Sequence, residues 1–577
     1  MAMNTLLKPR TMRRLLGILL LLVAALACQR PSPAKNVAIE LAMNEAPAEH
    51  VGYSFFHPSS RSLYELVERL REIAEDKHQT GVLLRVGPFE GAYARVRELT
   101  RALRRIRTAK KPIHCHFETT DNAGYELLAS SCDSISMSPS GTLDLAGVRA
   151  QAIFAGELLT TLGVNAELMQ VGRFKGAADA LTESSMPETT RSTLTAITHT
   201  LQTELVATVA HGRKRSPKQT QAAMDIGPLT AAASKDHGLV DAIAYVDEAR
   251  QHLRHAAKVE KLVADPEEDE VSDLSTLIQE LLTTPESPPS KPHIVLVPVT
   301  GTITSSTEPL DHDTGADVFI AEMKRLRDDE NVAAVVLRID SPGGSALASD
   351  LMWHAVYELR KKKPVFASLG GMAASGGYYI ASAAKEIFAE RTSLVGSIGV
   401  VGGKIAFADL AQKLGIHTET LRASPNAGWA DPTTAFTESE RAAVRQLLDT
   451  TYALFLRRVA QGRGVSIAKI EPVAEGRLMT GDVAKQGGLV DHLGGLLDTL
   501  EAARVAAKLP KKRKVYLWPP HQSPLESLFG QGAQSHAKAG SGIGAGIAAL
   551  LANVPIARVL ASNERVAALL PFALDMR

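Results

Sequence analysis

The sequence predicts an α/β protein made of two copies of one domain-sized unit, and three observations carry this. Apolar strand-like runs such as 81–86 and 333–339 alternate with helix-length amphipathic stretches, the pattern of βαβ units and a mostly parallel sheet. Residues 333–337 are continuously apolar, as strands covered on both faces are. The chain also repeats itself. Lys110-Lys111-Pro112 returns as Lys362-Lys363-Pro364 and Leu162-Gly163 as Leu414-Gly415, both 252 positions on (110 to 362, 162 to 414). Gly238-Leu239-Val240-Asp241 returns as Gly488-Leu489-Val490-Asp491, 250 positions on (238 to 488). A period this long is a whole domain, well beyond the solenoid range of about 20–50 residues.

Residues 1–28 read as an export signal. Lys8, Arg10, Arg13 and Arg14 precede the unbroken apolar run 15–27, which is shorter than the roughly 20 residues that span a bilayer. Ala25-Leu26-Ala27-Cys28 resembles a bacterial lipoprotein box, so processing before Cys28 and lipid attachment to it are expected, with an uncleaved signal anchor as the alternative. Either way the bulk of the chain is expected in the cell envelope, on the periplasmic side of a membrane.

After a short tether (29–36), the first copy occupies 37–263, with an amphipathic helix over 62–75, a strand at 81–86, a helix at 92–107 and a strand at 112–117. Residues 264–292, acidic and then rich in proline and serine, read as a linker. The second copy, 293–518, opens with a strand at 294–299. A helix at 318–327, a strand at 333–339, a helix at 346–359 and a strand at 365–368 follow, and the last feeds a glycine-rich turn. From 519 to 577 the pattern stops, and this low-complexity, apolar tail reads as poorly ordered or membrane-interfacial.

Composition excludes several classes. With 64 basic and 63 acidic residues in 577 and only 5% aromatics, nothing favours a nucleic-acid partner. Three cysteines without a CxxC spacing suit neither a disulfide framework nor a metal site. Cys115 between His114 and His116 reads as alternate faces of a strand. No metal and no organic cofactor is expected.

The sharpest local segment is 368–380, where a strand meets a glycine-rich turn and Ser375 opens a helix-like run. That geometry exposes a hydroxyl at the positive end of a helix, where a developing oxyanion is stabilised. Gly376 and Gly377 allow a carbonyl to approach the backbone closely. Residues 338–345 leave a strand through Pro342, Gly343 and Gly344, a loop able to supply a further N–H donor, and the first copy lacks this Gly-Gly pair at 85–91. In the 252-residue register Ser375 faces Ala123, and Lys175 faces Ala427. Two copies therefore hold one serine and one lysine between them, which suggests one split site. Lys175, in 170–178, stands among small and apolar neighbours, and a desolvated lysine can serve a serine as base. His417, 42 positions after Ser375 (375 to 417), is the nearest histidine downstream in sequence.

In combination, GRFKGAA (172–178), RIDSPGGS (338–345), AASGGYYIAS (373–382), SLVGSIGVVGGK (393–404) and GRLMTGDVAKQGGLVD (476–491) resemble the long, duplicated form of bacterial signal peptide peptidase A. The likeness runs over about 37–520 with the motifs in the family's order. It implies a ClpP/crotonase-like fold in each half, with a nucleophilic serine at Ser375, a general-base lysine at Lys175 and a lysine-orienting serine at Ser397. Leu145 stands in the register position of Ser397 in the first copy. The resemblance also implies a membrane-associated homo-oligomer, a tetramer, that cleaves remnant signal peptides. Gly344 and Gly376 are the candidate oxyanion donors. After the lysine the chain carries Ala178-Asp179-Ala180-Leu181 in place of the family's common Glu-Pro-Phe run. Two other classes stay open at this point: crotonase-like acyl-CoA chemistry and a non-catalytic membrane scaffold.

Overall fold

The computed structural model describes residues 36–49, 61–265, 288–305, 313–511, 515–519, 566–569 and 575–576. Cys28 and the rest of the export signal lie outside these, as do linker residues 266–287. In the first copy β1 (Val37–Met43) leads to α1 (Leu63–Glu75), β2 (Gln79–Val86), α2 (Tyr93–Thr108), β3 (Ile113–Asp121), α3 (Asn122–Ser131) and β4 (Ser134–Asp144). The four strands pair in parallel in sequence order. Helix α1 starts after Ser62 because of a capping box: the Ser62 side chain accepts from the Glu65 N–H, and the Glu65 carboxylate accepts from the Ser62 N–H at 2.9 Å. Its buried Leu66, Val67, Leu70 and Ile73 follow helical spacing.

Strand β2 shows why Val82, Leu83 and Leu84 are apolar without alternation. Val82 and Leu84 face the main core of this copy, whereas Leu83 packs with Ala249 and Leu253 on the other side of the sheet. All three are fully buried, each contributing about 1.5–3 kcal/mol. Past β4 the chain leaves the sheet through β5 (Ala150–Gln151), α4 (Gly156–Leu162) and β6 (Asn165–Val171). It continues along α5 (Glu188–Gly212) and returns in β7 (Leu229–Thr230), β8 (Ala242–Ile243) and β9 (Leu262–Ala264). The resulting seven-stranded sheet has the order β7-β4-β3-β2-β1-β9, with β8 beside β4.

The second copy repeats the plan with β10 (His293–Thr304), β11 (Thr314–Gly315), α6 (Ala316–Asp328), β12 (Val332–Ser345), α7 (Ala346–Arg360), β13 (Val365–Ala374) and α8 (Gly376–Ala381). There follow β14 (Glu386–Ala389), β15 (Leu394–Gly396), β16 (Val400–Ala406), α9 (Glu438–Arg463), β17 (Leu478–Thr480), β18 (His492–Leu493) and β19 (Val515–Leu517). Strands β10, β12 and β13 are parallel neighbours, as β1, β2 and β3 are. The repeated motifs do the same work in each copy. Lys111 and Lys363 each donate to carbonyls at the C-terminal end of the first helix of their copy (Ile73 and Asp76 for α1; Leu326 and Asp329 for α6). Asp241 and Asp491 accept from the N–H groups of Ile135 and Ile387, both at 2.8 Å.

Two devices weld the copies together. Strand β6 of the first lies antiparallel to β16 of the second, from Asn165 opposite Ala406 to Val171 opposite Val400. Arg338 of β12 is buried against Glu49 and Glu98 of the first copy, at 2.7 Å from each.

Two features go beyond the sequence reading. Within the tail expected to lack regular structure, β20 (Val566–Leu569) inserts between β12 and β16, and β21 (Asp575–Met576) pairs with β5. Short alanine-rich runs carry little strand signal of their own, and here partners on both edges of β20 supply the pairing. Cys115 and Cys132, too few for a framework, do form one disulfide, because the end of α3 returns Cys132 to β3.

Candidate active site

Strand β13 delivers Ser375 into a sharp turn. The residue has φ +54° and ψ −111°, a conformation that costs on the order of 1–3 kcal/mol and is held by the frame around it. Its N–H donates to the Gly396 carbonyl at 2.7 Å, and its own carbonyl accepts from the Tyr379 N–H at 2.8 Å to start α8. A β-carbon on Gly376 would come within 2.5 Å of Ser349 Oγ, and one on Gly377 within 2.9 Å of the Ser341 carbonyl, so only glycine fits this approach of α8 to β12 and α7.

Lys175 arrives from the first copy. The β6–β16 ladder ends at Val171, the chain turns at Gly172 (φ +114°), and the lysine side chain runs inward past two glycines. A β-carbon on Gly476 would lie 2.4 Å from Lys175 Cα, and one on Gly399 2.9 Å from Lys175 Cδ. Phe174 anchors the loop beneath the Arg477 guanidinium, 3.8 Å from the ring centroid, and its N–H donates to Glu475. The carbonyl of the same Arg477 accepts from the Ser397 N–H at 2.7 Å.

The two half-sites meet. Lys175 Nζ lies 2.7 Å from Ser375 Oγ, 2.9 Å from the Ser397 carbonyl oxygen and 3.1 Å from Ser397 Oγ. All three residues are fully buried. Burial pushes the Lys175 amine well below the ordinary lysine range. A neutral amine has two N–H donors and one lone pair. With both Ser397 oxygens accepting its N–H groups, a neutral Lys175 amine would have its lone pair free for the Ser375 hydroxyl. Such an arrangement has the geometry in which a serine can act as nucleophile and a lysine, oriented by a third group, as its base.

The other sequence candidates fall as follows. Gly376 opens α8, where the first N–H groups of a helix have no intrahelical partner. Gly344 sits in the β12 extension against Ile303, and its neighbour Gly343 (φ +101°) lies directly against Gly376, since a β-carbon there would be 2.8 Å from Gly376 N. His417 is exposed in the segment after β16. Sequence reasoning did not single out Gly396, Gly399, Arg477 and Gly476, which hold the two serines and pass the lysine. Only the glycine frequency of 393–404 and 476–491 hinted at them.

The register also needs correcting. Tyr125 and Tyr378 each donate to the carbonyl before the repeated Val-Asp (Leu239 at 2.6 Å, Leu489 at 2.8 Å), which places Asn122 rather than Ala123 opposite Ser375. Asn122 exchanges hydrogen bonds with the backbone of Gly147 (2.9 and 3.2 Å). Ala427 lies in a turn-rich segment with no counterpart of the lysine strand.

The model of peptidase family S49 matches residues 105–260 and 357–510. The chain belongs to peptidase family S49. It is 30% identical over 463 residues to the chloroplastic serine protease SPPA of Arabidopsis thaliana, covering 80% of this chain and 68% of that one. It is 31% identical over 458 residues to protease 4 of Salmonella typhi, covering 78% and 72%. A solved ClpP1 mutant from Listeria monocytogenes aligns with 36% of this chain and 94% of its own at 18% identity and a TM-score of 0.24. The two S49 matches, one per copy, identify the long, duplicated form and favour a serine peptidase over the acyl-CoA and scaffold readings.

Proposed function

We propose that this S49 peptidase is a membrane-associated endopeptidase in which Ser375 is the nucleophile and Lys175 the general base, and that it cleaves remnant signal peptides and other extended apolar peptides. The observation that carries the reading is the 2.7 Å contact between Lys175 Nζ and Ser375 Oγ in a fully buried setting. Neutral Lys175 accepts the hydroxyl proton as Ser375 Oγ attacks the scissile carbonyl carbon. The resulting oxyanion is met by backbone N–H groups of Gly376 and Gly344. Collapse breaks the C–N bond, Lys175 passes its proton to the leaving amine, and water activated by the same amine hydrolyses the acyl-serine ester.

The groove between β12 and β16 supports an extended substrate, because strand edges on both sides can pair with a peptide backbone. The export signal and Cys28 support a membrane location, with lipid or signal anchor as the attachment, and the family resemblance supports a homo-oligomeric assembly. The test is incubation of the full-length protein in detergent with a synthetic signal peptide. Wild type is expected to cut within the apolar run, with Ser375→Ala at least about 10³-fold slower. Undiminished cleavage by Ser375→Ala contradicts the assignment.

A further inference from the structure

Seven lysine and arginine side chains converge on one groove of the first copy, at the opposite end of β3 from Asn122. Helix α2 contributes Arg104 and Arg107, the turn after it Lys110 and Lys111, and the turn after α5 Arg213, Lys214 and Arg215. The groove has a volume of about 1600 Å³, and the carboxylates that line it are Asp133 and Asp241. Its lining therefore carries a net charge of +5 (seven cations less two anions) in a chain whose net charge is +1.

Three of the cations are already engaged. Arg107 pairs with Asp133 at 3.1 Å, Arg213 pairs with Asp241 at 2.8 Å, and Lys111 donates to the carbonyls of α1. Among the described residues, Arg104, Lys110, Lys214 and Arg215 pair with no carboxylate. The second copy does not repeat the last two charges. Its Arg463–Asp491 ion pair matches Arg213–Asp241, so Gly464-Val465 stands where the first copy has Lys214-Arg215. Lys214 keeps the left-handed backbone of Gly464 (φ +53° and +65°), a conformation natural to glycine. The first copy thus places a lysine on the groove against the preference of its own backbone.

The position of the groove in the fold shows what it faces. Strands β1, β2 and β3 are parallel neighbours, so all three begin at one end of the sheet. Pro112, just before β3, lines the groove, and Asn36, just before β1, ends the tether. Two strand spacings, about 10 Å, separate these starts. The eight-residue tether 29–36 reaches at most about 29 Å when fully extended. A membrane that holds Cys28 or the export signal therefore lies within reach of this end of the first copy. Arginine forks beside lysine ammonium groups suit phosphate oxygens. A signal peptide carries a basic n-region, which these charges repel, so the groove is not a substrate site.

We infer that this groove binds the phosphate headgroups of anionic phospholipids and seats the first copy on the membrane that holds the export signal. The inference rests on the membrane-associated reading above.

The experiment places the full-length protein in vesicles of phosphatidylcholine, alone or with about one-third phosphatidylglycerol. Lysines are labelled with an amine-acetylating ester, and each site is read by peptide mass spectrometry. With phosphatidylglycerol, acetylation of Lys110 and Lys214 is expected to slow at least about fivefold relative to the exposed Lys361 and Lys362 of the second copy. The double variant Arg104→Gln/Arg215→Gln keeps both reporter lysines. It is expected to restore the rate seen in phosphatidylcholine while hydrolysing an added apolar peptide as wild type does. Equal labelling of wild type with and without phosphatidylglycerol, or slowing at all four lysines alike, overturns the inference alone. Protection that survives in the double variant also overturns it. Inorganic phosphate that protects Lys110 and Lys214 equally well in phosphatidylcholine vesicles makes the occupant a soluble anion and overturns the lipid assignment. Protein that associates with neither vesicle overturns the membrane reading with it.

Discussion

Lys175 and Ser375 are 200 residues apart in sequence, yet Lys175 Nζ stands 2.7 Å from Ser375 Oγ. Each copy of the duplicated domain contributes one of them, and the β6–β16 ladder fixes how far the lysine reaches. Duplication let the halves specialise: one kept the glycine-framed serine turn, while the other places Asn122 and Gly147 in mutual hydrogen bonds at the equivalent spot.

The first prediction concerns pH. Burial lowers the Lys175 pKa in the folded state, so between that lowered value and the ordinary lysine value near 10.4 the unfolded chain binds one more proton than the native one. The fold therefore gains about 1.4 kcal/mol per pH unit from this group as pH rises through that window. Lys175→Met removes the penalty. The variant is expected to melt above wild type at neutral pH, with the gap closing towards pH 10. A gap that does not change with pH contradicts a buried neutral amine. The kcat/KM of wild type should rise with pH through the same lowered pKa, as required of a base that must be unprotonated.

Gly399→Ala tests the lysine corridor. The new methyl would meet Lys175 Cδ at 2.9 Å and the Val171 carbonyl at 2.8 Å, and the carbonyl, fixed in a ladder, has little freedom to yield. Displacing the amine by a fraction of an ångström is expected to reduce kcat by about 10²-fold, with about 1–3 kcal/mol of lost stability read by urea denaturation. Wild-type kcat in this variant would show that the corridor is not tight.

Arg338→Met tests the weld between copies. It strands the buried Glu49 and Glu98 carboxylates and should destabilise by about 3–5 kcal/mol. Burial already pushes the Glu98 carboxyl up. In the variant, a folded Glu98 pKa above its unfolded one makes the penalty shrink as pH falls towards about 4. A loss under about 1 kcal/mol at neutral pH would mean that the cluster contributes little.

What the sequence made legible was local chemistry. The turn at Ser375, the small-residue setting of Lys175, the capped helix after Ser62 and the doubly buried strand around Leu83 each announce themselves within a dozen residues. Contacts set by distant pairing were not legible. No period in 165–171 says that it will join the second sheet, and β20 is a four-residue run whose strand character comes from β12 and β16 on its flanks. The serine's counterpart was misplaced by one residue because the motifs on both sides, at 110–112 and 162–163, carry an offset of 252, whereas the hydrogen bonds between them require 253 (Tyr125 to Tyr378). The Cys115–Cys132 bond depended on where α3 ends, which spacing does not reveal.

The most direct test of the split site is hydrolysis of a fluorogenic apolar peptide by full-length wild type beside Lys175→Met, with circular dichroism confirming that both are folded. Loss of at least about 10³-fold in kcat with the fold intact is the predicted result. Equal turnover in the two proteins would contradict it and require another base for Ser375.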